Sequence, residues 1–181
     1  GGINQNMVVS WPARIKDKGG LRRQFTHVID VVPTILEAAG IRAPETVDGI
    51  KQAPIEGTSF AYTFDAANAN VPSRHTTQYF EMMGQWALYK DGWFLSTKVN
   101  RAPWEAFGAA NADPLNNQVF QLYNLNSNFN QTDDIAAKNP ETVKKMRGEF
   151  VAEANKYHVL PMDASVAARI VAPRPNITAG R

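Results

Sequence analysis

The sequence predicts an α/β chain: a front part built like the end of a helix-covered parallel sheet, followed by a smaller α+β unit. Three observations predict it. A continuous apolar run at residues 7–10 precedes a well-marked helix at about 28–39. From Thr76 the texture turns aromatic and alternating, with Asp91-Gly92 set between two of the alternating segments. Near the end, Asn139-Pro140-Glu141 opens a second long helical pattern.

The front part is justified element by element. The run Met7-Val8-Val9-Ser10 lacks alternation, which suits a strand buried on both faces. Trp11-Pro12 ends it, because proline cannot donate to a strand ladder. Arg14, Lys16, Lys18, Arg22 and Arg23 surround Gly19-Gly20; charge runs of this kind read as a solvated turn, with an anion-binding loop as the alternative. In the helix that follows, Asp30 is placed to cap, Pro33 sits in the first turn where its missing N–H costs little, and Gly40 closes the end. Val31, Val32, Ile35, Leu36 and Ala39 form a wide apolar stripe, read as a buried face. Residues 40–73, with Pro44, Pro54 and Pro72, are loop-rich, and a loop this long is expected to pack over a partner surface.

The second part reads as antiparallel. Residues 77–82, 86–90 and 93–97 are three strands, and Asp91-Gly92 is a strong two-residue hairpin signal. Residues 100–118 are an excursion rich in Asn, Pro and Ala, and residues 119–124 are a fourth strand. In the closing helix Asn139 caps, Pro140 takes the first position and Glu141 faces the positive end. Val143, Met146, Phe150, Ala154 and Tyr157 recur at helical spacing, so one face lies on the sheet. Tyr79, Phe80, Trp86, Trp93 and Trp104 read mostly as core, since aromatic side chains dominate cores. Residues 173–181 are Pro-rich and read as an extended tail.

Composition excludes several classes. The chain has 181 residues, 44% apolar and 20% charged, as in an ordinary globular protein. A net charge of +2 gives no basic block for nucleic acid or an anionic membrane surface. Cysteine is absent, which excludes disulfides, thiolate metal sites and a cysteine nucleophile. No apolar run reaches the length of a membrane span. The chain opens on Gly1-Gly2 without Met, which reads, as a minor indication, as a fragment or a processed product.

Few residues suggest chemistry. His27, His75 and His158 are far apart in sequence and lack the spacing of a zinc pair; each reads as a packing or hydrogen-bonding residue, and His27 as structural. Asp133-Asp134 could bind calcium or divide acid and base roles, but they precede a short helical stretch, where two acids form a plain capping arrangement. Asn70-Val71-Pro72-Ser73-Arg74 is similar to the Cys-x-Pro-Ser-Arg signature that sulfatases convert to formylglycine. Asn70 cannot supply the thiol, and the signature lies far upstream in that family, so the match reads as chance.

A set of short motifs carries a broader resemblance. Gly1-Gly2-Ile3, Met7-Val8-Val9-Ser10-Trp11-Pro12, Asp30-Val31-Val32-Pro33-Thr34-Ile35-Leu36-Glu37-Ala38-Ala39-Gly40 and Pro54-Ile55-Glu56-Gly57-Thr58-Ser59 resemble, in order and spacing, the C-terminal third of arylsulfatases. Gln78-Tyr79-Phe80-Glu81-Met82-Met83-Gly84 and Tyr89-Lys90-Asp91-Gly92-Trp93 are similar to the start of the smaller C-terminal subdomain of bacterial arylsulfatases. Asn124-Leu125, Asp134 and the last helix fit its close. The resemblance spans roughly residues 1–165.

The resemblance implies the C-terminal fragment of an alkaline-phosphatase-like fold. Residues 1–73 would close the large α/β domain. Residues 74–160 would form a small α+β subdomain of about four antiparallel strands with a packed C-terminal helix, and 161–181 an extended tail. Intact family members hydrolyse sulfate esters with a formylglycine nucleophile and a calcium ion. Neither maps here, so the chain carries no catalytic residue, no metal ligand and no cofactor of its own; calcium and formylglycine belong to the intact parent. Its partners would be the missing N-terminal sulfatase domain, a sulfate ester only in the intact enzyme, and a further copy if it oligomerises, with neither nucleic acid nor membrane. Glu81, Met82, Met83 and Gly84 correspond to a loop that approaches the substrate's organic part in relatives, although Gln85-Trp86 stands where relatives often carry Asn-Arg. The compartment stays open between periplasm and cytoplasm. The alternative is a stand-alone interaction or ligand-binding module without catalysis. A contiguous exposed apolar patch around the 31–39 helix would mark a lost partner domain.

Overall fold

The structure is a computed structural model and describes residues 5–99 and 110–165. The Gly1-Gly2-Ile3 motif, Trp104 and the 173–181 tail lie outside the described residues. The chain divides into two compact units, Gly1–Thr76 and Thr77–Arg181.

In the first unit a 3-10 turn, Val28–Asp30, runs into helix α1, Val31–Ala39. Pro33 falls in the first turn. Gly40 adopts φ 67° and ends the helix; its N–H reaches the Glu37 carbonyl, and the Ile41 N–H reaches Leu36 (2.9 Å). A residue in the left-handed region at this place satisfies helix-end carbonyls, and glycine adopts it without cost. Strands β1, Thr46–Val47, and β2, Ile50–Lys51, form a minimal hairpin. It turns through Asp48 (φ 49°) and Gly49 (φ 79°), a pairing that residues 40–73 carry within what reads as loop. Two 3-10 turns, Ala61–Phe64 and Ala66–Asn68, follow. Phe60, Ala61 and Phe64 are the core, with Trp11, Ile15, Val31 and Tyr62 packed on them.

Two expectations for this unit are corrected. Residues 7–10 form no strand; Val8 is 92% exposed. A strand buried on both faces needs flanking strands to take up its backbone donors and acceptors, and among the described residues no strand pairs with it. The apolar stripe of α1 is not a buried face. Only Val31 of the stripe packs on the Phe60 cluster, whereas Val28, Val32 and Ile35 are 73%, 53% and 60% exposed. The buried member of α1 is Thr34, because hydrogen bonds fix the helix by its Asp30–Thr34 side.

The second unit follows the alternation closely. Strands β3 (Thr77–Met82), β4 (Gln85–Lys90), β5 (Trp93–Thr97) and β6 (Phe120–Asn124) make one antiparallel sheet in the order β3-β4-β5-β6. Asp91 (φ 46°) and Gly92 (φ 84°) supply the turn between β4 and β5. Tyr79, Leu88, Leu95 and Leu122 face one another in register as one row across the sheet. Helix α2, Pro140–Lys156, covers that row with Met146, Phe150 and Ala154. The Phe150 ring stacks on Trp86 at 4.0 Å. Leu88, Leu95, Leu122 and Phe150 are wholly buried. Before α2, the Asp134 carboxylate accepts the Leu122 N–H (3.0 Å) and the Ala136 N–H (2.9 Å). It ties β6 to the 3-10 turn Ala136–Lys138, which is the capping arrangement expected of this acid.

Candidate functional site

The most concentrated polar geometry lies at the start of α1. Asp30 is completely buried. Its carboxylate accepts the His27 N–H (2.8 Å), the Thr58 N–H (2.7 Å) and the His75 Nδ1, which is 2.8 Å from both oxygens. Asp30 does not cap α1 with its side chain; it caps the preceding turn through His27 and spends its other acceptor capacity on distant residues. Next to it the Thr34 hydroxyl donates to the Asp30 carbonyl (2.6 Å) and accepts the Phe60 N–H (3.0 Å).

Gly57 makes this approach feasible. A Cβ there would sit on the Ile29 carbonyl, so any larger residue would push the Gly57-Thr58 backbone away from Asp30. The two motifs Asp30-Val31-Val32-Pro33-Thr34 and Glu56-Gly57-Thr58-Ser59 are therefore one hydrogen-bonded hub. His75 closes it. Its ring is buried, meets Phe25 edge-on at 5.3 Å and lies 6.4 Å from the His27 ring.

A carboxylate that orients a histidine is half of a nucleophile-activating triad, and hydroxyls lie close by. Those hydroxyls are engaged elsewhere. Ser73 Oγ bonds the carbonyls of Phe25 (2.9 Å) and His75 (3.0 Å), and Ser59 Oγ accepts the Ala61 N–H (3.2 Å). The hub fastens the helix start, the Gly57-Thr58 loop and the His75 segment. The same assignment disposes of the Asn70-to-Arg74 match. Ser73 is a backbone tie, and Arg74 lies over the Tyr62 ring at 4.1 Å. Within the basic run Arg22 is a structural tie, pairing with Asp17 at 2.8 Å and donating to the Thr63 carbonyl, while Arg14, Lys16, Lys18 and Arg23 are exposed.

His27 sets a pH dependence. Burial, then the neighbouring His75, hold its pKa below the ordinary 6.5, and the Asp30 charge opposes them. The folded chain thus favours neutral His27, while the unfolded chain takes up a proton near 6.5. This contribution to stability is complete above that value and is lost as pH falls below it, toward the lowered folded pKa. We expect the opening free energy of the first unit, read by hydrogen exchange, to fall between about pH 7 and pH 5 and the slope to flatten in His27→Gln. An equal slope in the variant would remove His27 as the cause.

Glu81, Met82, Met83 and Gly84 fall at the turn joining β3 to β4, with Met83 and Gly84 both at positive φ (54° and 77°). The Glu81 carboxylate accepts the Gly84 N–H at 2.9 Å, and Gln118 Nε2 donates to the Gly84 carbonyl at 3.0 Å. Met82 is 66% exposed. Gln85 and Trp86 turn inward: Thr97 Oγ1 donates to Gln85 Oε1, and Trp86 Nε1 donates to the Pro114 carbonyl. Among the described residues no group of three metal-ligating side chains converges. No helix of those residues is long and apolar enough to cross a membrane.

No protein-family model matches the chain. Among solved structures, one described as a 2-O glycosaminoglycan sulfatase is 16% identical, with a TM-score of 0.46 over 81% of this chain and 28% of its own. Another was solved in complex with its substrate D-glucosamine-2-N,6-O-disulfate; it is 14% identical, with a TM-score of 0.44 over 73% of this chain and 24% of its own. A third, from glycosaminoglycan metabolism in Bacteroides thetaiotaomicron, is 16% identical, with a TM-score of 0.43 over 70% and 24%. The chain spans about a quarter of the length of these structures.

Proposed function

We propose that the chain is the C-terminal part of a sulfuric ester hydrolase of the arylsulfatase type, and that the formylglycine nucleophile and the calcium site belong to an upstream portion. The observation that carries this reading is the ordered motif set, whose two best-marked members meet at Asp30. In this reading the hub is scaffold, and the exposed face of Val28, Val32 and Ile35 is the surface that the upstream sheet covers. The Glu81–Gly84 turn lies beside the organic part of the ester, with Met82 as its exposed apolar contact. The 181 residues alone have no turnover.

The test is the reading frame that encodes the residues before Gly1, followed by expression of the longer product. A lysine just upstream and a Cys-x-Pro-Ser-Arg sequence further back are expected. The longer product should hydrolyse nitrophenyl sulfate, and its Cys→Ala variant should not. A frame without that signature, or turnover of nitrophenyl sulfate by the 181-residue chain itself, overturns the proposal.

A further inference from the structure

A groove of about 160 Å3 in the second unit serves neither the Asp30 hub nor the β3–β4 turn. It runs between α2 and the segment before β6, large against the roughly 10 to 15 Å3 that one water needs by the same measure. Trp86, Leu115 and Val151 form its apolar lining, and Lys144, Arg147 and Asn116 bring polar groups to it. Among the described residues neither Lys144 nor Arg147 is in an ion pair.

Arg147 is held in place. Its guanidinium lies over the Phe120 ring at 4.6 Å and donates to Asn116 Oδ1 at 3.3 Å. The Asn116 amide is tied in turn to both oxygens of Asp113, at 3.2 and 3.1 Å. A guanidinium fixed in plane loses little freedom when it takes a planar or tetrahedral oxyanion. With Asp113 counted against the two cations, the cluster keeps one positive charge.

Gly148 supplies the second argument. Glycine inside a helix is disfavoured relative to alanine, and a Cβ at this position would meet no atom within 4 Å. The space over this face of α2 is therefore open, and the residue there leaves the groove unfilled.

We propose that this groove binds an oxyanion, sulfate or carboxylate, carried on a ring with an apolar face, with the charge at Lys144 and Arg147 and the ring against Leu115 and Val151. The experiment reads binding rather than turnover, so its outcome is independent of the sulfate-ester proposal. Amide spectra of the full chain are followed while glucose 6-sulfate, glucuronate, glucose or inorganic sulfate is added at low salt. The sulfated and carboxylated sugars should each shift the amides around Gly148 saturably at millimolar concentration, and their ratio tells which oxyanion is preferred. Glucose should leave these amides unmoved. Inorganic sulfate should bind roughly tenfold more weakly. Arg147→Gln should lower affinity for the sugars roughly tenfold, and so should Gly148→Leu by filling the groove. Gly148→Ala should retain binding, and Lys144→Gln stands in if Arg147→Gln fails to fold. Equal affinity for inorganic sulfate (an adventitious ion only), binding of glucose, absence of saturation, or unchanged affinity in Arg147→Gln or its stand-in overturns the proposal.

Discussion

Replacing Asp30 by Asn should destabilise the first unit by about 1.5 to 3 kcal/mol, the scale of losing hydrogen bonds to a buried carboxylate and leaving a buried donor unmet. Three donors converge on this carboxylate: the N–H groups of His27 and Thr58, and His75 Nδ1. Asparagine keeps the volume but offers one acceptor and one NH2. At least one buried donor is then left facing another donor, and an unmet buried donor is expensive. The loss is large against the 5 to 15 kcal/mol that typically holds a domain together. Hydrogen exchange is the appropriate measurement, because the chain has two compact units and a single midpoint would mix them. Protection should collapse at residues 27–34, 57–64 and 73–76 and persist in β4 and β5. His75→Ala should act at the same positions, and the double variant should be less damaged than the sum of the two, since both changes act on one network. Protection in Asp30→Asn within about 0.5 kcal/mol of the parent chain, the range of ordinary surface substitutions, would show that the hub is not what fastens this unit.

The hub also shows where sequence reasoning stops. Asp30 and His75 are 45 positions apart, and nothing in either neighbourhood announces the other. The aspartate was legible as a helix-start residue, a local property, but its partner is chosen by the way the loop folds back. Gly57 carried the clue, since a glycine between Glu56 and Thr58 marks a place where two backbones meet. The second unit was legible almost to the residue because its information is local. Period-two alternation sets β3 to β6, Asp91-Gly92 sets a turn, and the spacing from Val143 to Tyr157 sets the face of α2. The Asp48-Gly49 turn had the same signature between shorter flanks, and the strand pair it joins is only two residues on each side. Residues 7–10 depart from the expected strand for the opposite reason. An apolar run states that a segment is suited to burial; a strand also needs neighbours to bond, and those are not a property of the run. The outward face of α1 follows the same logic: apolar spacing identifies a face able to be covered, and whether it is covered is not a property of the spacing.

Phe150→Ala should cost the second unit about 3 to 5 kcal/mol, in line with large-to-small changes in tightly filled cores. Phe150 is wholly buried and lies nearly parallel to Trp86, with an interplanar angle of 16°. It joins α2 to the Leu88, Leu95 and Leu122 row. Alanine would remove the stacking partner of Trp86 and leave a void that the sheet cannot close, because β4 and β5 are locked in register on both sides. Trp86 offers a direct readout: its indole stays bonded to the Pro114 carbonyl but loses its ring partner, so its fluorescence should change in the native state as well as in the unfolding curve. Glu141→Ala, on the exposed first turn of the same helix, is the control and should cost no more than about 1 kcal/mol, the scale of a carboxylate at a helix N-terminus. If Phe150→Ala cost no more than that control, α2 would be an ornament on the sheet rather than half of its core. The groove beside Gly148 would then lack the rigid wall that holding Arg147 in place requires.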